Sequence, residues 1–566
     1  MSGLRAWTAL CSLLTALGCS ASIDADGPHG QGGSPAGGGT GSVGGDGPNT
    51  STLGRDAVAA RCDTSQLAPP QLRRLTATEL DRTLRDVFPS LGAAWSGVRL
   101  GADPVSPLGF SNDARTLVVA SQTAQELLGT AEDVATALTT GSALGVVVPC
   151  AAEAAPARAC ADKLVQTVGA RLFRRAVSSD EASDYGALYD NVAAKSDFVT
   201  GARWVLVAMI QSPSAVYRSE LGTASAGKRQ LTADELASEL GYTYGGSVPS
   251  AELLAAAARG EFATPAARVA KALELLATPH GHEQLQQFLA EWSGYGRVAS
   301  KTKTTVANFE ALRSSMLQET QLFLDEAVVN RKGGVKELLT ANYTFVDGAL
   351  AAHYGFGAAS GSGFMQVDRP LGRGLGLLAQ GSILAGSAHS DASSPTLRGL
   401  VVYEKLLCHQ KPLPPPNIPT IEAPSPGAKT TRQRYEQSHG ANPSCQACHK
   451  FFDPVGFGFE HFDEAGRYRA DEAGLGLDTT GQVLSYPDGA PVFQLDGLED
   501  LASKLAERAE VADCVSGLAA AYAFAGAGGR TCLAEAARTA FASGKIGVLD
   551  YFAELAGTPG FAERTP

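Results

Sequence analysis

The chain has 566 residues, 44% of them hydrophobic, and a formal net charge of −12 at pH 7. That acidic balance, without clustered Lys and Arg, excludes a nucleic-acid partner, because phosphate binding needs basic patches. The chain holds no phosphate-binding glycine loop, no Gly-x-Gly-x-x-Gly after a strand, no His-Glu-x-x-His and no Gly-x-Ser-x-Gly, which removes the common nucleotide, metalloprotease and serine-hydrolase signatures.

The N-terminus reads as an export signal. Arg5 gives a positive charge and Ala9 to Leu17 a short apolar core, well under the roughly 20 residues a membrane span needs. Ala16-Leu17-Gly18-Cys19 resembles a bacterial lipobox, which makes Cys19 the candidate lipidation site; the alternative is ordinary cleavage near Ala21. Membrane contact is then expected through the lipid alone. Residues 20–60 are rich in Gly, Ser, Asp and Pro (Gly37-Gly38-Gly39, Gly44-Gly45). Such a stretch cannot bury a core and is expected to be a flexible tether.

Most of the remaining chain reads helical. Thr76-Ala77-Thr78-Glu79 is a capping box leading into Leu80, Leu84 and Val87 on one face, and Thr232 to Glu235 repeats the device before Leu236 and Leu240. Leu164, Val168 and Leu172 form another stripe; Leu312, Met316, Thr320 and Phe323 form a fourth. These stripes, with Met209 and Met316, are expected to face the core. Strands are few: Ser485 to Phe493, around Pro487-Asp488-Gly489, suggests a hairpin. The run from Pro412 to Pro419 should be an extended polyproline strap. The fold class expected is mainly α: several packed helical modules with few short strands.

After that strap comes Cys445-Gln446-Ala447-Cys448-His449. A Cys-x-x-Cys-His run attaches haem c: the two thiols add to the haem vinyl groups and the adjacent imidazole is the proximal iron ligand. One covalent haem c, on Cys445 and Cys448 with His449 beneath the iron, is the expected cofactor. The alternatives are a Cys445–Cys448 disulfide or a metal or redox role, but no further Cys or His follows at zinc-finger spacing. Asn442-Pro443-Ser444 before the motif and Asp453-Pro454 after it do not suit a thioredoxin-like site.

There are ten cysteines. With Cys11 removed in the signal, Cys19 lipidated and Cys445 and Cys448 on haem, six are left, an even number that favours disulfides in an exported protein. Cys150 and Cys160 flank a short loop and are the first expected pair. Cys514 and Cys532 flank a helix and a Gly-rich turn and are the second. Elimination then leaves Cys62 with Cys408. No methionine follows Cys445, since the four are Met1, Met209, Met316 and Met365; a downstream-Met electron carrier is excluded.

Several segments, in order, resemble the planctomycete-type cytochrome-c-like multidomain envelope proteins, whose modules are mostly of unknown function. Arg73-Arg74-Leu75-Thr76 through Phe88 looks like an opening helix. Leu172-Phe173-Arg174-Arg175-Ala176, with Gln211 to Arg218, looks like a second module. Leu231 to Tyr242, Ala341 to Phe345 and His353-Tyr354-Gly355 look like a third. The fourth carries Arg373-Gly374-Leu375, Ser393 to Gly399, Asn442 to His449, Asp453 to Phe457 and Phe462-Asp463; the last begins near Asp478. The divisions expected are a signal at 1–19, a tether at 20–60, helical modules at 61–145, 146–225 and 228–360, a cytochrome-c-like module at 368–472, and a C-terminal helical module at 475–560. The resemblance implies an envelope cytochrome-like protein and supplies no substrate.

His389, just before the Ser-Pro segment where such proteins often carry His, is the first candidate for the distal iron ligand. His461 is the next; His439 and His409 are weaker, and an open iron is a further option. An open site would need an acid–base group, for which His389, Asp391 or Arg398 could serve, although Arg398 reads better as a propionate or carboxylate partner. Asp453 and Asp463 read as turn caps, and His280, His282 and His353 as surface or core histidines. The function expected is electron transfer or redox chemistry outside the cytoplasm, with an unnamed redox partner. The alternatives are a haem-free, disulfide-stapled binding lipoprotein and a haem oxidoreductase, each with a polysaccharide or other extracellular substrate as the further partner.

Overall fold

The protein is described here from a computed structural model, which describes residues 67–93, 95–357, 363–411, 429–526 and 535–566. The expected signal, tether and proline strap, with Cys19, Cys62 and Cys532, lie outside the described residues. The architecture is mainly helical, 57% helix against 9% strand. No helix among the described residues is long and apolar enough to cross a membrane.

Local signals start the elements where the sequence places them. Strand β1 (Gln71–Arg74) leads into helix α1 (Ala77–Val87). There the Thr76 hydroxyl accepts from the Glu79 amide and the Glu79 carboxylate accepts from the Thr76 amide, satisfying two amides the first turn would otherwise leave bare. Leu80, Leu84 and Val87 are buried. Helix α3 (Arg158–Leu172) packs on α1, and α2 (Ser121–Leu138), α4 (Ser179–Ala193) and α5 (Phe198–Ile210) complete the group around it. One hydrophobic cluster collects Leu84, Phe88, Val134, Leu164, Val168, Leu172 and Met209.

Strands β2 (Tyr217–Glu220), β3 (Thr223–Ser225) and β4 (Lys228–Gln230) follow. Strand β2 pairs antiparallel with β1, Gln71 opposite Glu220. Helix α6 (Ala233–Gly245) opens on the second capping box, Thr232 with Glu235. Helices α7 (Pro279–Ser293) and α8 (Phe309–Leu324) continue the bundle, with Met316, Thr320 and Phe323 buried. Strands β5 (Tyr343–Val346) and β6 (Met365–Asp368) form a ribbon.

Helix α9 (Pro395–Lys405) precedes three short helices: α10 (Thr431–Tyr435), α11 (Pro443–His449) and α12 (Asp453–Gly456). Strands β7 (Thr480–Leu484) and β8 (Pro491–Asp496) form the expected hairpin around Pro487-Asp488-Gly489. Helix α13 (Ala509–Ala523) is buried along its length, and the last strand β9 (Glu563–Arg564) returns to pair with β4.

The larger core runs across the chain divisions. It joins Phe110, Leu240, Phe288 and Trp292 with Phe323, Leu338 and Val402, and these with Phe459, Leu501, Leu518, Phe552 and Phe561.

Two disulfides lie among the described residues. Cys150–Cys160 forms as expected. The second joins Cys408 to Cys514, which corrects both Cys514–Cys532 and Cys62–Cys408. The physical reason is tertiary: the end of α9 abuts the buried face of α13, bringing the two Cα atoms to 5.4 Å, inside the range a disulfide spans. Pairing by nearness in sequence misses a contact made across 106 residues.

Candidate functional site

Helix α9 packs against α12, the short helix that follows the motif. Ser394 caps it by accepting the Leu397 amide, and Pro395 opens it at a position needing no donor. Its glycine is sterically required: a Cβ on Gly399 would stand 1.9 Å from the Phe452 carbonyl oxygen. The reciprocal contact is Gly456, whose Cβ would stand 1.9 Å from the Pro395 carbonyl oxygen. Two glycines thus let α9 and α12 touch backbone to backbone. Arg398 is fully buried and donates to the carbonyls of Leu384, Phe459, Phe462 and Asp463, with the Glu460 carboxylate 3.9 Å away. It staples loops together and is not open to a propionate or a substrate.

Helix α11 carries the motif. Asn442 caps it by accepting the Ser444 amide, and Pro443 follows at the first helical position. Helical spacing sets Cys445, Cys448 and His449 on one face. Cys445 and Cys448 are unpaired and partly exposed, so the alternative Cys445–Cys448 disulfide is not formed. Cys448 packs against a cluster of Leu400, Tyr403, Phe451, Phe452, Leu484 and Tyr486.

His449 Nδ1 lies 3.0 and 3.1 Å from the two carboxylate oxygens of Asp453. A carboxylate only accepts, so Nδ1 carries the proton. His439, on a widened helical turn at Glu436–Gly440, puts its own Nδ1 3.0 Å from the same carboxylate. The two imidazole centroids are 3.8 Å apart. The Thr396 hydroxyl of α9 donates a 2.6 Å hydrogen bond to Asp453 Oδ1. Burial opposes a charge on Asp453, but the hydrogen bonds from His439 and His449 outweigh it and hold the carboxyl below its ordinary range.

A cavity of about 450 Å³ opens beside this trio, walled by Arg432, Tyr435, His439, His449, Phe457 and Gln482 among others. That volume falls within the span of small-ligand sites. Arg432 stacks its guanidinium 4.6 Å from the Phe457 ring centroid and brings a cation to the rim.

The structure thus sets His439 against His449 and engages the other candidate histidines elsewhere. His389 is not among the residues walling the cavity; its carbonyl accepts from Lys303, and burial pushes its imidazole pKa down. His461 hydrogen-bonds the Arg469 carbonyl and stacks on Tyr468. His409 packs against Tyr403 and Tyr486. His353 bonds the Ala465 carbonyl, while His280 and His282 sit by Asp86 and Asp325. Asp463 caps a turn as read, accepting the amides of Ala465 and Arg467. Asp453 is the residue the sequence misassigned. Its signal was its place only four residues after His449, in the Asp453-Pro454 pair that opens the next helix.

The donor set fits a covalent haem. Two free thiols sit one turn apart, a neighbouring imidazole has Nδ1 tied to Asp453, and an aromatic wall stands at Cys448.

Four family models match the chain, each described as a protein of unknown function: PSD3 (DUF1587) at residues 73–140, PSD5 (DUF1595) at 160–220, PSD4 (DUF1592) at 231–356 and PSCyt3 (DUF1588) at 374–472. Neither the curated proteins nor the solved structures contain a match. The motif helix and its Asp453 brace lie within the cytochrome-like segment, and the four matched segments follow one another over most of the sequence: the chain belongs to the planctomycete cytochrome-c-like (PSCyt/PSD) multidomain family.

Proposed function

We propose that this is an exported, lipid-anchored c-type haem protein that transfers electrons to or from a partner outside the cytoplasm. The observation that carries this reading is the state of α11: Cys445 and Cys448 unpaired and accessible, one turn apart, beside a histidine whose Nδ1 is already engaged. In this reading the two thiols anchor the haem and His449 Nε2 binds iron. Asp453 fixes the ring, Thr396 fixes Asp453, and the aromatic side chains around Cys448 keep water from the haem edge. The group, when bound, supplies one-electron chemistry at iron. The Cys150–Cys160 and Cys408–Cys514 disulfides support an oxidising compartment. Anchoring through Cys19 and the redox partner are parts of the same proposal.

The test is a pyridine haemochrome spectrum with intact mass, on protein made in a host that matures c-type cytochromes. A c-type band with the mass of one covalent haem is expected. A mass without haem sinks the reading. Carbon monoxide binding to the ferrous protein then separates an open, catalytic iron from a closed electron carrier.

One observation favours a second reading. Ligand atoms of His439, His449 and Asp453 all lie within 4.8 Å of one another, a two-histidine, one-carboxylate set that suits a divalent transition ion. Stoichiometric metal in the haem-free protein, lost in His439→Gln, would support it.

A further inference from the structure

His449 and Asp453 belong to different helices, α11 and α12, separated by a bend at Lys450 to Phe452. Their contact is therefore not an accident of one continuous helix. Asp453 is 5% exposed, and the nitrogens that face its carboxylate among the described residues are those of two imidazoles, with no lysine or arginine. Burying a carboxylate costs free energy that a neutral side chain would not. Three hydrogen bonds hold it in place: from Thr396, His439 and His449. Among the described residues no hydrogen bond is made by His449 Nε2.

We propose that Asp453 is the positioning residue of the iron site: its carboxylate accepts the hydrogen bond from His449 Nδ1–H, leaves Nε2 as the nitrogen that would bind iron, and would make the imidazole a more electron-rich ligand. The proposal rests on the haem reading above and adds to it the sign of the tuning. Metal-bound histidines whose second nitrogen donates to a carboxylate are fixed in tautomer and raised in basicity. A more basic axial ligand stabilises ferric over ferrous iron, which lowers the reduction potential.

The test uses the full chain with its haem, in the wild type and in Asp453→Asn and Asp453→Ala. Asparagine keeps an acceptor oxygen but loses the charge. D453N is expected to retain covalent haem and to raise the midpoint potential by about 59 mV or more, a tenfold shift of the one-electron equilibrium. D453A should raise it at least as far. Midpoints unchanged in both variants, with haem still attached, overturn the proposal and leave the haem reading standing. The haem-free protein gives an independent readout through histidine-selective 15N NMR, with His449 assigned by H449Q. The Nδ1–H tautomer is expected, and the Nε2–H tautomer overturns the proposal whether or not haem binds. A wild type that takes no haem refutes the functional reading, and the tautomer then judges Asp453 separately.

Discussion

Glu220 lies fully buried between two arginines that come from opposite ends of the chain. Arg73 donates to one carboxylate oxygen at 3.1 Å and Arg564 to the other at 2.5 Å, while Glu239 stands near Arg73 and Arg218. Removing one partner of a buried ion pair leaves an uncompensated charge, a loss of about 3–5 kcal/mol. Glu220→Gln is therefore expected to lower the unfolding free energy by that order, read from urea denaturation by circular dichroism. Lys405 shows the opposite arrangement. Burial pushes its ammonium down to about 8, and its Nζ donates to the Leu108 carbonyl with no ion pair among the described residues. The ordinary value of about 10.4 holds in the unfolded chain. Between pH 8 and about 10.4 the unfolded chain keeps a proton that the folded one has released, so stability rises with pH across that window. Below pH 8 both states are charged and the full penalty applies. Lys405→Met removes this titration. Wild type should gain on the variant by roughly 3 kcal/mol between pH 8 and about 10.4, and a gap that does not change with pH would contradict the account.

Among the elements, the contact of α9 with α12 decides whether the site assembles. Gly399→Ala must push the Phe452 carbonyl aside by more than 1 Å, and overpacking of this kind costs about 1–3 kcal/mol. The Thr396–Asp453 hydrogen bond spans the same contact, so under the haem proposal G399A is expected to lower covalent haem yield along with melting temperature, both measured on one preparation. The two disulfides should differ in weight. Cys150–Cys160 closes a loop of 10 residues and Cys408–Cys514 one of 106; loop entropy puts them at about 3 and about 5 kcal/mol. Differential melting of Cys150→Ala and Cys514→Ala checks the order. Much of this element level was legible in the sequence wherever the signal is local. The Thr76 and Thr232 capping boxes, the Leu164–Val168–Leu172 stripe and the β7–β8 turn depend on residues a few positions apart. Cys445, Cys448 and His449 are legible for the same reason. What stayed hidden is carried by packing. Cys514 meets Cys408 because α13 lies against the end of α9. His439 reaches His449 because a widened turn redirects the chain. Asp453 looked like a turn cap because the bend at Lys450 to Phe452 hides that it still faces His449.

Across the whole molecule, the matched family segments are not separate cores. Val402, Leu406, Val455, Phe459 and Phe462 of the cytochrome-like segment share one hydrophobic cluster with Phe323, Leu338, Leu498, Leu518 and Phe561. Cys408 is bonded to a residue beyond the segment's end. Strand β9, two residues from the C-terminus of the chain, pairs with β4 and places Arg564 on Glu220. A segment cut at residues 374–472 would expose the inner faces of α9 and α12 to water, at a cost of about 25 cal/mol for each Å² of apolar surface. It would also leave Cys408 without its partner. The short helices α10, α11 and α12 are 5, 7 and 4 residues long, far below the length at which a helix persists on its own. The isolated 374–472 fragment is therefore expected to lack a cooperative thermal transition and to give poorly dispersed amide NMR signals. The chain from residue 67 to 566 should instead melt as one unit and resist limited proteolysis between the matched segments. A fragment that folds alone would mean that the motif helix needs only its local sequence, and that the long helical remainder serves a surface other than the proposed haem site.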